Sequence, residues 1–183
     1  SQGYDWIYWG DDDDPPKEIY VFENLINKAS TLDNVGCIGS VGNFFNSQLG
    51  ALRSVSNLEL KNSITLDVDV IPGGHNLIVN GGMVRNSYVL PNEKYFFSFE
   101  DLYFCFQVKK NGYRVVVDSE SWYKSRLRDG LIEDRYYYKA ANKKKPNLNR
   151  AYYSHRNLLH FLFKNGLYQA FLLNVVKGIV KPV

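Results

Sequence analysis

The stretch from Phe99 to Val117, "FEDLYFCFQVKKNGYRVVV", limits the folds open to this chain more than any other. Phe99 to Lys110 has helical spacing, Asn111-Gly112 stops it, and Tyr113 to Val117 is a β-branched strand. The same alternation runs along the rest of the chain. Asp5 to Trp9 reads as a short buried strand. Pro16 suits a first helical turn, after which Ile19, Phe22, Ile26 and Ala29 recur at helical spacing, with Asp13 or Asp14 as the cap. Val35 to Phe45 is apolar and glycine-broken, which predicts one strand with a tight bend. Leu66 to Ile71 alternates aspartate with apolar residues, the pattern of a half-buried strand, and Pro72-Gly73-Gly74 turns the chain. Asn76 to Val79 is a further short strand, ahead of Gly81-Gly82. Asp134 to Asn149 reads as a loop or exposed helix, and Arg150 to Val180 as helix interrupted at Asn165-Gly166. Strands alternating with helices predict an α/β domain, whose ligands bind beyond the carboxyl ends of the strands.

A chain of 183 residues with 45% apolar and 15% aromatic content buries a core of its own and is globular. Its net charge of +3 hides an asymmetry: from Arg135 onward there are ten Lys/Arg and no Asp/Glu, whereas all 19 acids precede that point. An acidic front suits a cation, and a basic tail suits a phosphate-bearing ligand or an anionic membrane. Cys37 and Cys105 make neither a disulfide framework nor a zinc pattern, which favours a reducing compartment. Neither a signal peptide nor an apolar run of spanning length is visible, so a cytoplasmic location, peripheral at the inner face of the plasma membrane, is expected.

Two acidic constellations carry candidate chemistry. Four consecutive aspartates, Asp11 to Asp14, follow the apolar strand "DWIYW" and precede Pro15-Pro16. Carboxylates this close raise one another's pKa unless a cation neutralises them, and a hard divalent ion held by one or two carboxylates plus substrate phosphates does so. A solvated loop with a helix cap is the competing reading. Glu100-Asp101 opens the helix among aromatics; there a carboxylate serves either the helix terminus or a substrate hydroxyl as general base. His75 reads as a loop residue, and His155 and His160, five apart, do not share a helical stripe. The C-terminal "NLLHFLFKNGLYQAFLLNVVKGIVKPV" reads either as an interfacial helix on a membrane or as a helix packed on the domain or a second subunit.

Taken in order, "DWIYWGDDDDPP", "NGGMVRNS", "YFFSFEDLYFCFQVKKNGYRVVVDS" and "AYYSHRNLLHF" resemble glycosyltransferase family 2, in its rhamnosyl- and galactofuranosyl-transferase-like branch. The resemblance covers most of the chain and corresponds to the C-terminal part of the family's domain; the family's N-terminal half is expected about a hundred positions ahead of Tyr4. It implies a partial GT-A α/β/α sandwich with a mixed sheet and C-terminal helices. Residues 1–134 would form the metal and acceptor part, and 135–183 a basic loop and helical region packing on it or at a membrane surface. It implies an inverting transfer from a UDP- or dTDP-linked sugar to a carbohydrate or lipid-linked glycan acceptor in polysaccharide or cell-wall synthesis. Asp11, Asp12 and Asp13 match the family's DXD-type motif, Asp11 and Asp13 holding Mg²⁺ or Mn²⁺ and Asp12 binding donor. Asp101 matches the catalytic base, with Glu100 in support. Gly81 and Gly82 match a glycine-rich wall at the donor sugar, and Arg156 and Asn157 a late motif. The chain departs from the family pattern at Lys124 or Ser125, where a histidine ligand is usual and a lysine would reach a phosphate, and at Gln107, where an arginine is usual. No nucleic-acid partner is expected, and self-association is open.

Two other classes compete. An aspartate-nucleophile phosphatase also places Asp-x-Asp after an apolar strand, but Asp14-Pro15 fits its motif poorly. A non-catalytic cation- or carbohydrate-binding module would use the aspartates structurally and the 14 tyrosines as a sugar platform.

Overall fold

The computed structural model describes residues 3–10, 16, 18–95, 98–131 and 148–180. In chain order the elements are β1 (Trp6–Trp9), α1 (Val21–Ser30), β2 (Val35–Gly39), β3 (Asn43–Asn46), β4 (Ala51–Ser54), α2 (Asn57–Lys61) and β5 (Leu66–Asp67). They continue with β6 (Leu77–Asn80), α3 (Gly81–Ser87), α4 (Glu100–Lys110), β7 (Arg114–Val117), α5 (Ser119–Arg128), α6 (Leu148–Lys164) and α7 (Tyr168–Val180). The fold is α/β, with a mixed five-stranded sheet in the order β1-β6-β2-β7-β5, a small β3-β4 ribbon and two C-terminal helices.

The middle strands β6, β2 and β7 are buried on both faces because nearly all their residues are apolar or glycine, whereas the edge strand β1, expected as buried, exposes Ile7 and Tyr8. Cys37, Val79, Val115 and Val117 face the larger core, whereas Ile38, Ile78 and Val116 face a smaller one built on Leu25 and Ala29 of α1. This is the period-two alternation of a strand sandwiched between helices. The larger core also holds Leu102, Phe104 and Val108 of α4, Trp122 of α5, Phe161 and Leu162 of α6 and Ala170 of α7. The C-terminal helices therefore pack into the same core as the sheet. Phe161 joins them to the rest, edge-on to Phe45 at 5.5 Å and to Phe106 at 5.3 Å.

Pairing is antiparallel between β1 and β6 and between β6 and β2, and parallel between β2 and β7. It follows that β1, β2 and β7 run the same way, and that Gly10, Ser40 and Asp118 share one edge of the sheet. At that edge an α/β sheet offers its ligand crevice.

Several elements differ from the sequence reading. Val35 to Phe45 is two strands in different sheets, because the chain leaves the main sheet at Ser40 and turns at Gly42. A Cβ on Gly42 would lie 2.8 Å from Val68 and 3.0 Å from Val117, so only glycine lets the ribbon pass this close. The strand expected over Leu66 to Ile71 stops at Asp67, since Val70 pairs instead with Asn43 of the ribbon. Gly81-Gly82 opens a helix capped by Asn80, whose Oδ1 accepts from the Met83 N–H at 2.9 Å. Most of the loop expected over Asp134 to Asn149 lies outside the described residues, and α6 begins at Leu148. Among the described residues no helix is long and apolar enough to cross a membrane.

Candidate functional site

A cleft of about 780 Å³ opens between the end of β1, the Pro72-Gly73 turn, the segment Pro91 to Tyr95, the start of α4 and Arg150 of α6. Its volume is that of a site for a small organic ligand. Glu100 and Asp101 lie in its wall beside Trp9, Tyr95 and Phe99, so the acidic pair singled out in the sequence does face a cavity among aromatic rings.

The acids reach the cleft through an unusual helix start. Phe99, the residue capping α4, has φ +71° and makes no side-chain capping bond, and Ser98 before it has φ +75°. Two successive non-glycine residues in the left-handed region cost about 1–3 kcal/mol each. The turn they make sends Glu100 and Asp101 into the first turn of α4, where the helix dipole favours anions. Asp101 Oδ2 accepts from the Gly73 N–H at 3.0 Å. The carboxylate thus joins the helix to the Pro72-Gly73 turn, and this bond to another segment of chain exceeds what a helix cap alone requires. Both acids are half-buried.

Of the neighbouring aromatics, Tyr95 carries a polar tip. Tyr95 is buried, stacks on Tyr103 at 4.9 Å, and brings its hydroxyl within 3.1 Å of His160 Nδ1. Burial, and after it the neighbouring Tyr103, pushes the Tyr95 phenol up to about 12, so it stays protonated at neutral pH. Burial pushes the His160 imidazole down, and Lys164, Lys94 and Arg156 add to the effect.

The remaining sequence-derived residues fall as follows. Asp11, Asp12 and Asp13 lie outside the described residues. The chain on either side of them meets two neighbouring pockets: Trp9 lines the main cleft, and Pro16 lines a smaller one of about 200 Å³ with Ser40, His75 and Asp118. Gly81 and Gly82 do not line the cleft. Gly81 is required by the chain itself, because a Cβ there would sit 2.0 Å from the Tyr4 carbonyl oxygen, and its N–H donates to the Asp5 carbonyl at 2.8 Å. Lys124 is exposed on α5, pairs with Glu120 at 2.7 Å and lines a different groove with Lys61 and Ile64. Arg156 lies over the Tyr153 ring at 4.9 Å and donates through Nη2 to the Lys94 carbonyl at 3.3 Å, on the segment that walls the cleft. Gln107, in the last turns of α4, offers its carbonyl to the Asn111 side chain at 2.9 Å.

Arg150, Tyr95 and Trp9 in the cleft wall were not singled out from the sequence. A signal for the α6 contribution exists: Arg150, Ser154 and Asn157 recur at i, i+4 and i+7, one face of a helix. Among the described residues no three His, Cys, Asp or Glu side chains gather as metal ligands. Glu93, Glu100 and Asp101 are the acids of the cleft and do not form such a group. Comparison with protein-family models, with curated proteins and with solved structures returns no match.

Proposed function

We propose that the cleft is the acceptor side of a glycosyltransferase site, with a GT-A type of fold around it. The observation that carries the reading is Asp101: a half-buried carboxylate held by the Gly73 N–H in the wall of an aromatic-lined cleft, at the ligand-binding edge of the sheet. In this reading Asp101 takes the proton from an acceptor hydroxyl, which attacks the anomeric carbon of a UDP- or dTDP-linked sugar, and the nucleoside diphosphate leaves with the bonding electron pair. Trp9 and Phe99, both part-exposed, supply faces on which a sugar ring stacks, and the exposed Arg150 supplies a cation at the rim. Glu100 supports the base or binds acceptor.

Asp11 and Asp13 are the proposed holders of Mg²⁺ or Mn²⁺, which when bound supplies charge neutralisation for the leaving diphosphate. Their place in the sequence, between a residue of the main cleft and a residue of its neighbour, supports that assignment. A peripheral contact with an anionic membrane is also proposed. Tyr168, Leu172, Val176 and Ile179 form an exposed apolar stripe along α7, beside exposed Lys177 and with no acid in either C-terminal helix.

The test is calorimetric titration of UDP and of dTDP into the chain with and without Mn²⁺. Binding of either that requires Mn²⁺ and is lost in Asp11→Asn/Asp13→Asn supports the transferase. Equal binding with and without metal removes the diphosphate clamp. Sugar binding that survives both Asp101→Asn and the double change favours a carbohydrate-binding module.

A further inference from the structure

We infer that Arg156 and Asn157 of α6 are positioning residues, which hold the left-handed Ser98-Phe99 turn and thereby aim Asp101 into the cleft. The inference rests on the reading of Asp101 as the base. Its geometry is a relay of three contacts. The Arg156 guanidinium donates to Asn157 Oδ1 twice, from Nε at 3.1 Å and from Nη2 at 2.8 Å. That pairing fixes which way round the Asn157 amide sits, so that Nδ2 points the other way and donates to the Ser98 carbonyl at 3.0 Å. Ser154, one turn earlier, donates from Oγ to Ser98 Oγ at 2.9 Å.

Two of these contacts reach Ser98, in the turn that leads directly into α4. Ser98 and Phe99 both stand at positive φ, a conformation that L residues hold only when the surroundings over-determine it. Released, the turn would relax toward ordinary backbone, and the first turn of α4 would rotate Glu100 and Asp101 away from Gly73. Asn157 is only 1% exposed, an uncommon place for an amide unless its hydrogen bonds are used. The helix that carries the clasp is itself anchored in the core by Phe161, one helical turn further on. A rigid helix thus presses on a strained turn, the arrangement that preorganised sites require. Arg156 then acts through Asn157, since its guanidinium is engaged there and at the Lys94 carbonyl.

The predicted order of effects separates this role from plain packing. Asn157→Asp keeps the size of the side chain and an acceptor for Arg156 but cannot donate to the Ser98 carbonyl. Asn157→Ala removes both contacts, and Ser154→Ala removes only the hydroxyl pair. Ser98→Gly makes positive φ free of strain at that position.

The direct experiment is hydrogen exchange of the Gly73 amide, which reports whether Asp101 is still aimed at it, with the β2 amides as the internal reference. Asn157→Asp and Asn157→Ala should both raise Gly73 exchange by roughly tenfold relative to β2, with Ser154→Ala smaller. Adding Ser98→Gly to Asn157→Ala should restore most of the protection. Gly73 exchange that stays at the wild-type level, or rises only in step with β2, overturns the clasp; so does Asn157→Asp behaving as wild type. Hydrolysis or transfer of UDP- and dTDP-sugars is followed in the same variants. A turnover that falls with Gly73 protection, at unchanged KM, supports the positioning role. Lost Gly73 protection together with an Asp101→Asn variant of full turnover keeps the clasp but removes Asp101 as base, so the two failures are told apart.

Discussion

Phe161→Ala is the perturbation whose size follows most directly from the packing. Phe161 is completely buried, and its ring meets Phe45 and Phe106 edge-on at 5.5 and 5.3 Å. Truncating a buried phenylalanine costs about 3–5 kcal/mol through lost burial and the cavity left behind. The two aromatic pairs add about 0.5–1.5 kcal/mol each where geometry is favourable, which places this site in the upper half of that range. In a domain of this size each kcal/mol moves Tm by about 2–4 °C, so the expected fall is on the order of 8–20 °C. Phe161→Leu, which refills much of the volume, should cost less than half as much. The assay is thermal and urea unfolding followed by circular dichroism. A loss below about 1 kcal/mol would refute the packing of α6 into the sheet's own core, and with it the anchoring of the cleft's far wall.

Three further outcomes are expected. The Arg53 guanidinium, with the Ser56 contacts, holds the Glu59 carboxyl down to about 2; a depressed acid contributes stability that is complete above its unfolded value and is lost as pH falls through about 2. The pair is half-exposed, so Glu59→Gln should flatten the acid limb of a stability–pH curve by less than about 1 kcal/mol. Both cysteines are buried, and burial, with Cys105 after it, also pushes the Cys37 thiol well up; neither should react with a disulfide reagent at pH 8 until the chain is unfolded, and rapid native-state labelling would contradict their placement in the core. Leu172→Glu/Val176→Glu should abolish co-sedimentation with phosphatidylglycerol-containing vesicles while leaving Tm nearly unchanged, since both side chains are exposed; equal binding of the variant would remove α7 as the contact.

What could be read in the sequence, and what could not, divides along physical lines. Short apolar runs found β1, β6 and β7, and helical spacing found α1 and α4, although α1 starts at Val21 behind Tyr20 and not at the expected Pro16. The helix of residues 57–61 escaped notice, since its five residues carry little pattern and its start depends on the Ser56–Glu59 capping box. The ribbon strand at 51–54 is exposed throughout and so has no buried face to betray it. Gly81-Gly82 illustrates the harder case: a glycine pair signals close approach, but the sequence does not say of what, and here it is the chain's own Tyr4 carbonyl. The acidic pair was legible as a cleft candidate because carboxylates among aromatics are costly to bury without a partner. The turn that aims it was not, because Ser98-Phe99 carries no residue that favours positive φ. That conformation is imposed from α6, 56 to 59 positions along the chain, by contacts that no local pattern records.

The central claim, that Asp101 is a transferase base, is tested most directly by comparing turnover of the wild type with Asp101→Asn on UDP- and dTDP-sugars with a carbohydrate acceptor. The amide still accepts from the Gly73 N–H, so the fold should hold to within about 1 kcal/mol. Release of nucleoside diphosphate should fall by about 10²–10⁴-fold at unchanged KM. Turnover within about threefold of wild type, with the variant equally folded, would contradict the account, because that side chain would then accept no proton in the reaction.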